Sequence, residues 1–134
     1  MNHPKFLDIA FKIAQEAPRT TAALVAALVV DKNTIVSVGI NSSKTHPFVA
    51  KYKIDPWLDS LHAETTAIKK AITTISSRKL SKCLLYVCRA RKIDGEFVWG
   101  LSRPCENCQK FMRQFPPKLC IYSTNETGVY DILN

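Results

Sequence analysis

The tripeptide His62-Ala63-Glu64 and the later pentapeptide Pro104-Cys105-Glu106-Asn107-Cys108 decide how this chain folds and what chemistry it can carry. A histidine and two cysteines are side chains that bind zinc, and three such ligands leave a fourth coordination position open for water. Glu64 lies close enough in sequence to His62 to reach the same cleft without binding the metal. A carboxylate beside activated water can accept a proton and return it to a leaving group. The two strings therefore predict a zinc site with His62, Cys105 and Cys108 as ligands and Glu64 as the proton carrier.

Both strings lie at predicted helix starts. Cys105 and Cys108 open a helix that Pro116 ends, and the backbone N–H groups and dipole of a helix start favour thiolates. His62 is expected in the first turn of another helix, whose predicted N-cap is Ser60 or Asp59. We therefore expect two helix starts to converge on one metal ion.

Working outward, hydrophobic spacing predicts the order helix, two strands, helix, strand, helix, two strands. The predicted helices span Pro4–Ala17, Ser60–Ile75 and Cys105–Phe115. The predicted strands span Ala22–Val30, Thr34–Ile40, Leu84–Arg89, Leu119–Ser123 and Val129–Leu133. Only a short turn joins the last two strands, so they should be antiparallel, because a parallel pair needs a long crossover. The pattern predicts an α/β fold with a mixed five-stranded sheet, a long loop over Asn41–Asp59 and an irregular or hairpin-like insertion near Asp94-Gly95.

Composition limits the class of protein. With 134 residues, 46% of them apolar, the chain is expected to form a single domain over residues 1–134. The formal net charge of +8 favours anionic partners such as nucleotides or nucleic acid. The longest apolar run, Ala22–Val30, is too short to span a bilayer, and no signal peptide is evident. We expect a cytoplasmic protein with no membrane partner.

The five cysteines leave other interpretations of Cys105-x-x-Cys108 to weigh. The pair is also typical of a redox site at a helix start, or of half a four-cysteine zinc site completed by Cys83 and Cys88. Two residues five positions apart face opposite sides of a strand, which argues against the second alternative. The redox alternative leaves His-Ala-Glu unexplained. We expect Cys83, Cys88 and Cys120 to be buried apolar fillers.

The order H-A-E at a helix start, then a strand, then P-C-x-x-C opening the next helix resembles the zinc-dependent cytidine deaminase superfamily. The resemblance extends from about Ala22 to Leu133 and implies a three-layer, cytidine-deaminase-like arrangement of sheet and helices. It also implies that zinc-activated water attacks C4 of cytosine or C6 of adenine, that ammonia leaves, and that Glu64 moves the protons. By the same resemblance, Asn41, the N–H of Ala63 and the backbone around Arg103-Pro104 contact the substrate.

Two features of the sequence point to different substrates. The closing hairpin, Ile121–Leu133, resembles the branch that acts on free cytidine, whereas a histidine at position 62 resembles the nucleotide and polynucleotide branches. Basic residues of the long loop and the insertion are expected to border the cleft, where they would bind phosphate; they are Lys44, His46, Lys51, Lys53, Arg89, Arg91, Lys92 and Arg103. Aromatic residues there offer stacking faces for bases; they are Phe48, Tyr52, Trp57 and Trp99.

The sequence therefore predicts an enzyme that deaminates cytosine in a free nucleoside or nucleotide. A nucleic-acid editor, acting on single-stranded DNA or RNA or on adenosine in tRNA, is the first alternative. A non-catalytic nucleotide-binding module is the second, although such a module would have no need of Glu64. A homo-oligomer is expected, because the relatives commonly assemble as dimers or tetramers.

Overall fold

A computed structural model describes residues 2–17, 24–41 and 62–133. Within these ranges the chain forms four helices and six strands. The helices are α1 (His3–Ala14), α2 (Ala63–Ile72), α3 (Ser77–Leu80) and α4 (Glu106–Gln114). The strands are β1 (Leu24–Asp31), β2 (Thr34–Ile40), β3 (Leu84–Ile93), β4 (Glu96–Gly100), β5 (Leu119–Ser123) and β6 (Tyr130–Leu133). The predicted order is confirmed, and α3 and β4 are added to it.

The strands form one mixed sheet in the order β2-β1-β3-β5-β6, with β4 paired to β3 alone. The β3–β5 pair is parallel, and β5 and β6 are antiparallel from Cys120↔Leu133 to Ser123↔Tyr130. The mixed sheet and its antiparallel last strands are therefore confirmed.

The sheet has a sixth strand because the insertion forms a regular hairpin. Strand β3 continues beyond Arg89 to Ile93, and β4 returns along it after the turn Asp94-Gly95. Both turn residues have positive φ, 52° and 83°, as two-residue hairpin turns that follow the twist of the strands require. The polar and charged residues at the end of β3 interrupt the hydrophobic pattern, so that pattern did not predict the hairpin of β3 and β4.

Helices cover both faces of the sheet, which gives three layers. On one face, residues of α2 and α4 such as Ile68 and Phe111 pack against alternate strand residues such as Val87. On the other face, Phe6 and Leu7 of α1 are buried. Each strand supplies residues to both faces in alternation.

The non-motif cysteines follow this alternation. Cys83 and Cys120 belong to the α2–α4 face and Cys88 to the α1 face, and all three are buried. They are apolar fillers, as predicted, and Cys83 and Cys88 cannot share a metal.

Strand β2 and helix α2 approach each other unusually closely at Gly39. A Cβ atom at this position would lie 2.2 Å from the carbonyl oxygen of Ala63 and 2.6 Å from the backbone nitrogen of Ala67. Two residues before Gly39, on the same face of the strand, the Ser37 hydroxyl donates a hydrogen bond of 2.6 Å to the Ala67 carbonyl. Strand β2 therefore fixes the position of the first turns of α2.

No helix in the described ranges is both long enough and apolar enough to cross a membrane.

Candidate metal centre and active site

Helices α2 and α4 begin side by side, and the residue just before each helix carries a metal-ligand side chain. His62 is the N-cap of α2 and Cys105 the N-cap of α4, and both have extended backbone conformations. Neither side chain makes a capping hydrogen bond to its own helix. Serine or aspartate at an N-cap would normally do so, so these two side chains are directed elsewhere.

The three predicted ligands meet in space. Nδ1 of His62 lies 3.1 Å from Sγ of Cys108 and 3.5 Å from Sγ of Cys105. All the ligand atoms of this group lie within 4.8 Å of one another. Tetrahedral zinc with bonds of about 2.0–2.3 Å separates its ligand atoms by roughly 3.3–3.8 Å. The donor set and its spacing fit zinc, with Nδ1 as the histidine atom nearest both sulfurs.

The position of His62 differs from the prediction in one respect. It precedes α2 as the N-cap, rather than lying in the first turn, and the predicted caps Ser60 and Asp59 lie outside the described residues. Its carbonyl oxygen accepts hydrogen bonds from the backbone N–H of Thr66 and the hydroxyl of Thr65, each of 3.0 Å. These bonds hold the His62 backbone while leaving its ring free to turn toward α4.

The two cysteines are coupled electrostatically. A hydrogen bond from the Cys108 thiol is the main reason that the pKa of Cys105 falls to about 4. The same hydrogen bond, together with burial, raises the pKa of Cys108. The hydrogen bond with Cys105 also raises the pKa of His62. One thiolate is therefore stabilised by the protein itself, and a cation at the centre would stabilise the second.

Glu64 lies in the first turn of α2 and is only 6% exposed. Burial raises the pKa of its carboxyl group, and hydrogen bonding by the Cys108 thiol opposes part of that rise. The carboxylate thus lies against the ligand cluster while the three ligand atoms face one another.

Two of the four predicted substrate contacts are backbone groups at the helix starts. Ala63, fully buried, is the first residue of α2, where helix N–H groups have no partner within the helix. Pro104 is buried just before α4, and its carbonyl accepts a hydrogen bond of 2.8 Å from Nε2 of Gln109. Both flank the ligand cluster.

The other two residues predicted to contact the substrate, Asn41 and Arg103, lie at the same end of the sheet. Asn41 follows β2, where its Oδ1 accepts a 2.9 Å hydrogen bond from the N–H of Val25. Its own N–H donates to the Val25 carbonyl at 3.2 Å, so Asn41 extends the β1–β2 ladder by one position. Arg103 is exposed and donates a 3.0 Å hydrogen bond from Nη1 to the Tyr122 hydroxyl.

Sequence reasoning missed a buried pair of serines that holds the segment leading into α4. The Ser102 hydroxyl donates to the carbonyl of Val87 at 2.9 Å and accepts from the Ser123 N–H at 2.8 Å. The Ser123 hydroxyl donates to the Gly100 carbonyl at 2.6 Å and accepts from the Arg89 N–H at 3.1 Å. The pair joins β3, β4 and β5 just ahead of Cys105. A serine at the end of an apolar strand, as at position 123, is the only sequence signal for it.

One predicted contributor was wrong. Trp99, expected to offer a stacking face to a base, is 5% exposed and packs in the α1 cluster, where its ring lies 6.3 Å from that of Phe11. Alternation along β4 turns it away from the metal centre. The loop residues predicted to border the cleft, from Lys44 to Trp57, lie outside the described residues.

Comparison with known proteins agrees with the fold and the ligand set. A family model described as the cytidine and deoxycytidylate deaminase zinc-binding region matches residues 1–124. The structure is similar to that of guanine deaminase from Bacillus subtilis, with 26% identity and a TM-score of 0.60, over 92% of this chain and 65% of that one. This chain thus spans slightly less than two thirds of that protein. No curated protein sequence matches the chain.

Two further structures share the fold. One is dCMP deaminase from the cyanophage S-TIM5 in complex with dCMP and dUMP, with 21% identity, a TM-score of 0.60, and coverage of 88% of this chain and 77% of that one. The other is RibD from Acinetobacter baumannii, with 12% identity, a TM-score of 0.53, and coverage of 91% and 28%. Because the family match extends over most of the sequence and includes the His-Ala-Glu and Pro-Cys-x-x-Cys strings, the chain belongs to the family of zinc-binding cytidine and deoxycytidylate deaminases.

Proposed function

We propose that this protein is a zinc-dependent hydrolase that deaminates cytosine in a free nucleoside or nucleotide, with water as co-substrate and the uracil compound and ammonia as products. The observation that carries the proposal is the buried carboxyl of Glu64 against the convergent ligand atoms of His62, Cys105 and Cys108. A site that only stored zinc or stabilised the fold would not need a buried carboxylate that is not a ligand.

In the proposed reaction His62, Cys105 and Cys108 hold the metal. Zinc, when bound, supplies a Lewis acid that makes water nucleophilic near neutral pH. Glu64 accepts the proton that the attacking water loses and passes it to N3 of the base. It then transfers a second proton from the added hydroxyl to the amino group, which leaves as ammonia when the C4–N bond breaks. Atoms balance, because one water is consumed for each ammonia released.

Backbone groups at the helix starts would orient the base. The N–H of Ala63 lies at the first position of α2, where it can donate to the base carbonyl. The segment Arg103-Pro104 leads directly into Cys105, and its backbone would lie near the departing amino group. The serine pair behind this segment limits how far it can move.

A second candidate is deamination of a free purine base. It is favoured by the likeness to the guanine deaminase of Bacillus subtilis, which covers 92% of this chain. The same zinc and carboxylate groups would serve, since the reaction is again replacement of an amino group by water. The two candidates differ in whether the site must accept a sugar.

The test is ammonia release by the purified, zinc-loaded full chain. The panel contains cytidine, deoxycytidine, their monophosphates, guanine, single-stranded DNA and RNA, and tRNA. We expect turnover of a cytosine nucleoside or nucleotide, and a loss of at least about 10²-fold in the isosteric Glu64→Gln variant with its zinc content unchanged. Preference for guanine would support the second candidate, and preference for a polynucleotide would indicate an editor. If neither protein released ammonia from any compound while both held stoichiometric zinc, the catalytic proposal would be wrong.

A further inference from the structure

Arg89 occupies a position on β3 that the chemistry proposed above does not use. The β1–β3 register pairs Ala27 with Val87 and Val25 with Arg89. Val87 and Ala27 are buried on the α2–α4 face, and Val25 packs against the same cluster. Because strand side chains alternate, Arg89 projects from this face too, one row beyond Val87. Its neighbour across the ladder, Val25, is in turn bonded to Asn41, so Arg89 lies at the edge of the sheet where the metal centre is.

The guanidinium of Arg89 has an unmet hydrogen-bonding requirement. Its Nε atom is buried, and within the described structure it has no hydrogen-bond partner. The ion pairs found among described residues join Lys12 to Asp8, Lys79 to Asp31 and Lys110 to Glu106, and none includes an arginine. A buried donor on a charged group is costly to leave without an acceptor. An acceptor supplied by a ligand would meet that requirement.

A second arginine lies directly beside the first. A Cβ atom at Gly100 would come within 2.9 Å of Cδ of Arg91 and 3.0 Å of Cδ of Arg89, so both side chains cross the space that this glycine leaves free. Arg91 is anchored by backbone carbonyls, from Nε to Trp99 at 3.0 Å and from Nη2 to Asn125 at 3.2 Å. Its charge therefore has no carboxylate partner among the described residues, and it adds to the positive potential around Arg89.

Arg103 approaches the same region from the segment that enters α4. It donates to the hydroxyl of Tyr122, and its Cζ lies 5.8 Å from the centre of that ring. Tyr122 pairs with Val87 across the parallel β3–β5 ladder and faces the α2–α4 layer. Arg89 thus lies one row beyond the pair Val87–Tyr122, and Arg103 lies over it. Arg89 therefore extends from the sheet, and Arg103 extends from the segment that leads into α4.

We propose that Arg89, assisted by Arg103, binds the 5′-phosphate of a mononucleotide substrate and so determines specificity for a nucleotide over the nucleoside. A guanidinium matches a phosphate through paired, charge-assisted hydrogen bonds. A terminal phosphate carries up to two charges and three free oxygens, which suits two arginines of which one is partly buried. A phosphodiester has one charge and chain on both sides, which suits a buried receptor less well. The inference rests on the proposed function for the identity of the base.

Product binding tests the inference without catalysis. Zinc-loaded Glu64→Gln protein is titrated calorimetrically with dUMP and with deoxyuridine, which differ only in the phosphate. We expect dUMP to bind about 10- to 100-fold more tightly than deoxyuridine, as charge-assisted hydrogen bonds to one group would provide. Adding Arg89→Ala should remove most of this ratio and change deoxyuridine affinity less than about 3-fold. Arg89→Lys should keep only part of the affinity ratio, because lysine keeps the charge but lacks the paired N–H donors of a guanidinium.

Arg78→Ala is the matched control, since Arg78 is an exposed arginine on α3 and should leave the ratio unchanged. A second arm uses no substitution at Arg89: inorganic phosphate should compete with dUMP and should not compete with deoxyuridine. This arm keeps the inference testable if Arg89→Ala fails to fold.

Equal affinity for dUMP and deoxyuridine, or a ratio that survives Arg89→Ala, would overturn the inference. Tighter, Arg89-dependent binding of a single-stranded oligonucleotide than of dUMP would also overturn it, in favour of a polynucleotide. The proposed function fails separately. An enzyme that turns over deoxycytidine and dCMP but binds their products equally keeps the function and loses the inference. A protein that binds dUMP through Arg89 but deaminates nothing keeps the phosphate-binding inference and loses the proposed function.

Discussion

The Gly39→Ala substitution should damage the metal centre although Gly39 touches no ligand side chain. The new Cβ would lie 2.2 Å from the Ala63 carbonyl oxygen and 2.6 Å from the Ala67 nitrogen. A carbon and an oxygen normally approach to about 3.3 Å, so the first turn of α2 must move by roughly 1 Å. Both neighbouring atoms belong to the backbone, so no side-chain rotation relieves the contact.

The energetic cost follows from that displacement. Overpacking a core typically costs about 1–3 kcal/mol of folding free energy. Because the added Cβ meets backbone atoms of α2, which cannot move aside by rotation, we expect a cost of about 3 kcal/mol. For a chain of 134 residues that corresponds to a fall of roughly 10–15 °C in Tm. His62, Ala63 and Glu64 move with the helix start, and a misplacement of about 1 Å at a reacting centre can cost on the order of 10²-fold in kcat/KM.

Thermal unfolding followed by circular dichroism, zinc content and kcat/KM for the best substrate measure these three effects. Gly128→Ala is the stability control, because its Cβ would meet no atom of the described residues within 4 Å, and only its φ of 87° disfavours the substitution. It should lower Tm by less than half as much. A Gly39→Ala protein that melted within 2 °C of the unaltered protein, with zinc and kcat/KM retained, would show that β2 does not position α2 as described.

Three further changes have expected outcomes. Chelation of zinc should lower Tm, since a ligand at ~100 times its Kd contributes about 2.7 kcal/mol; His62→Ala should abolish both stoichiometric zinc and this response, and a mutant that kept both would refute the ligand assignment. Ser123→Ala should lower the free energy of unfolding in urea by about 2–4 kcal/mol, because it leaves the Arg89 N–H and the Gly100 carbonyl without their partner; a loss below about 0.5 kcal/mol would contradict this. Burial lowers the pKa of His3, whose Nδ1 lies 2.7 Å from the Tyr86 hydroxyl. The unfolded chain therefore binds the proton more readily, so this contribution to stability is complete above the ordinary pKa of 6.5 and is lost as pH falls from 6.5 through the lower folded value. Stability measured from pH 7.5 to 5.5 should fall more in the unaltered protein than in His3→Gln, and parallel curves would show that His3 is not responsible.

The metal ligands and the order of helices and strands along the chain could be predicted from sequence because both depend on local patterns. A histidine at the start of one helix and a Cys-x-x-Cys pair at the start of another can bind one metal ion in only a few arrangements. The antiparallel β5–β6 pair followed from the short turn between the strands. The apolar runs of β1 and β3 predicted strands, and both strands supply buried side chains to the two faces of the sheet.

What sequence missed depends on contacts between distant segments. The β4 strand was not predicted because Arg91 and Lys92 interrupt the apolar pattern, although Arg91 is stabilised there by carbonyl groups of Trp99 and Asn125. The aromatic character of Trp99 suggested base stacking, but its face is set by the register of β4 on β3. The Ser102–Ser123 pair is separated by a whole helix and strand, so no local pattern could reveal it.

The two halves of the metal centre are held by different parts of the sheet. Strand β2 fixes α2 through Gly39 and Ser37, which positions His62 and Glu64. The ends of β3 and β5 fix the approach to α4 through the serine pair, which positions Cys105. Neither set of contacts uses the guanidinium groups of the β3–β4 hairpin. If the arginines bind substrate as proposed, changes in those side chains should alter substrate binding while His62, Glu64 and Cys105 stay in place.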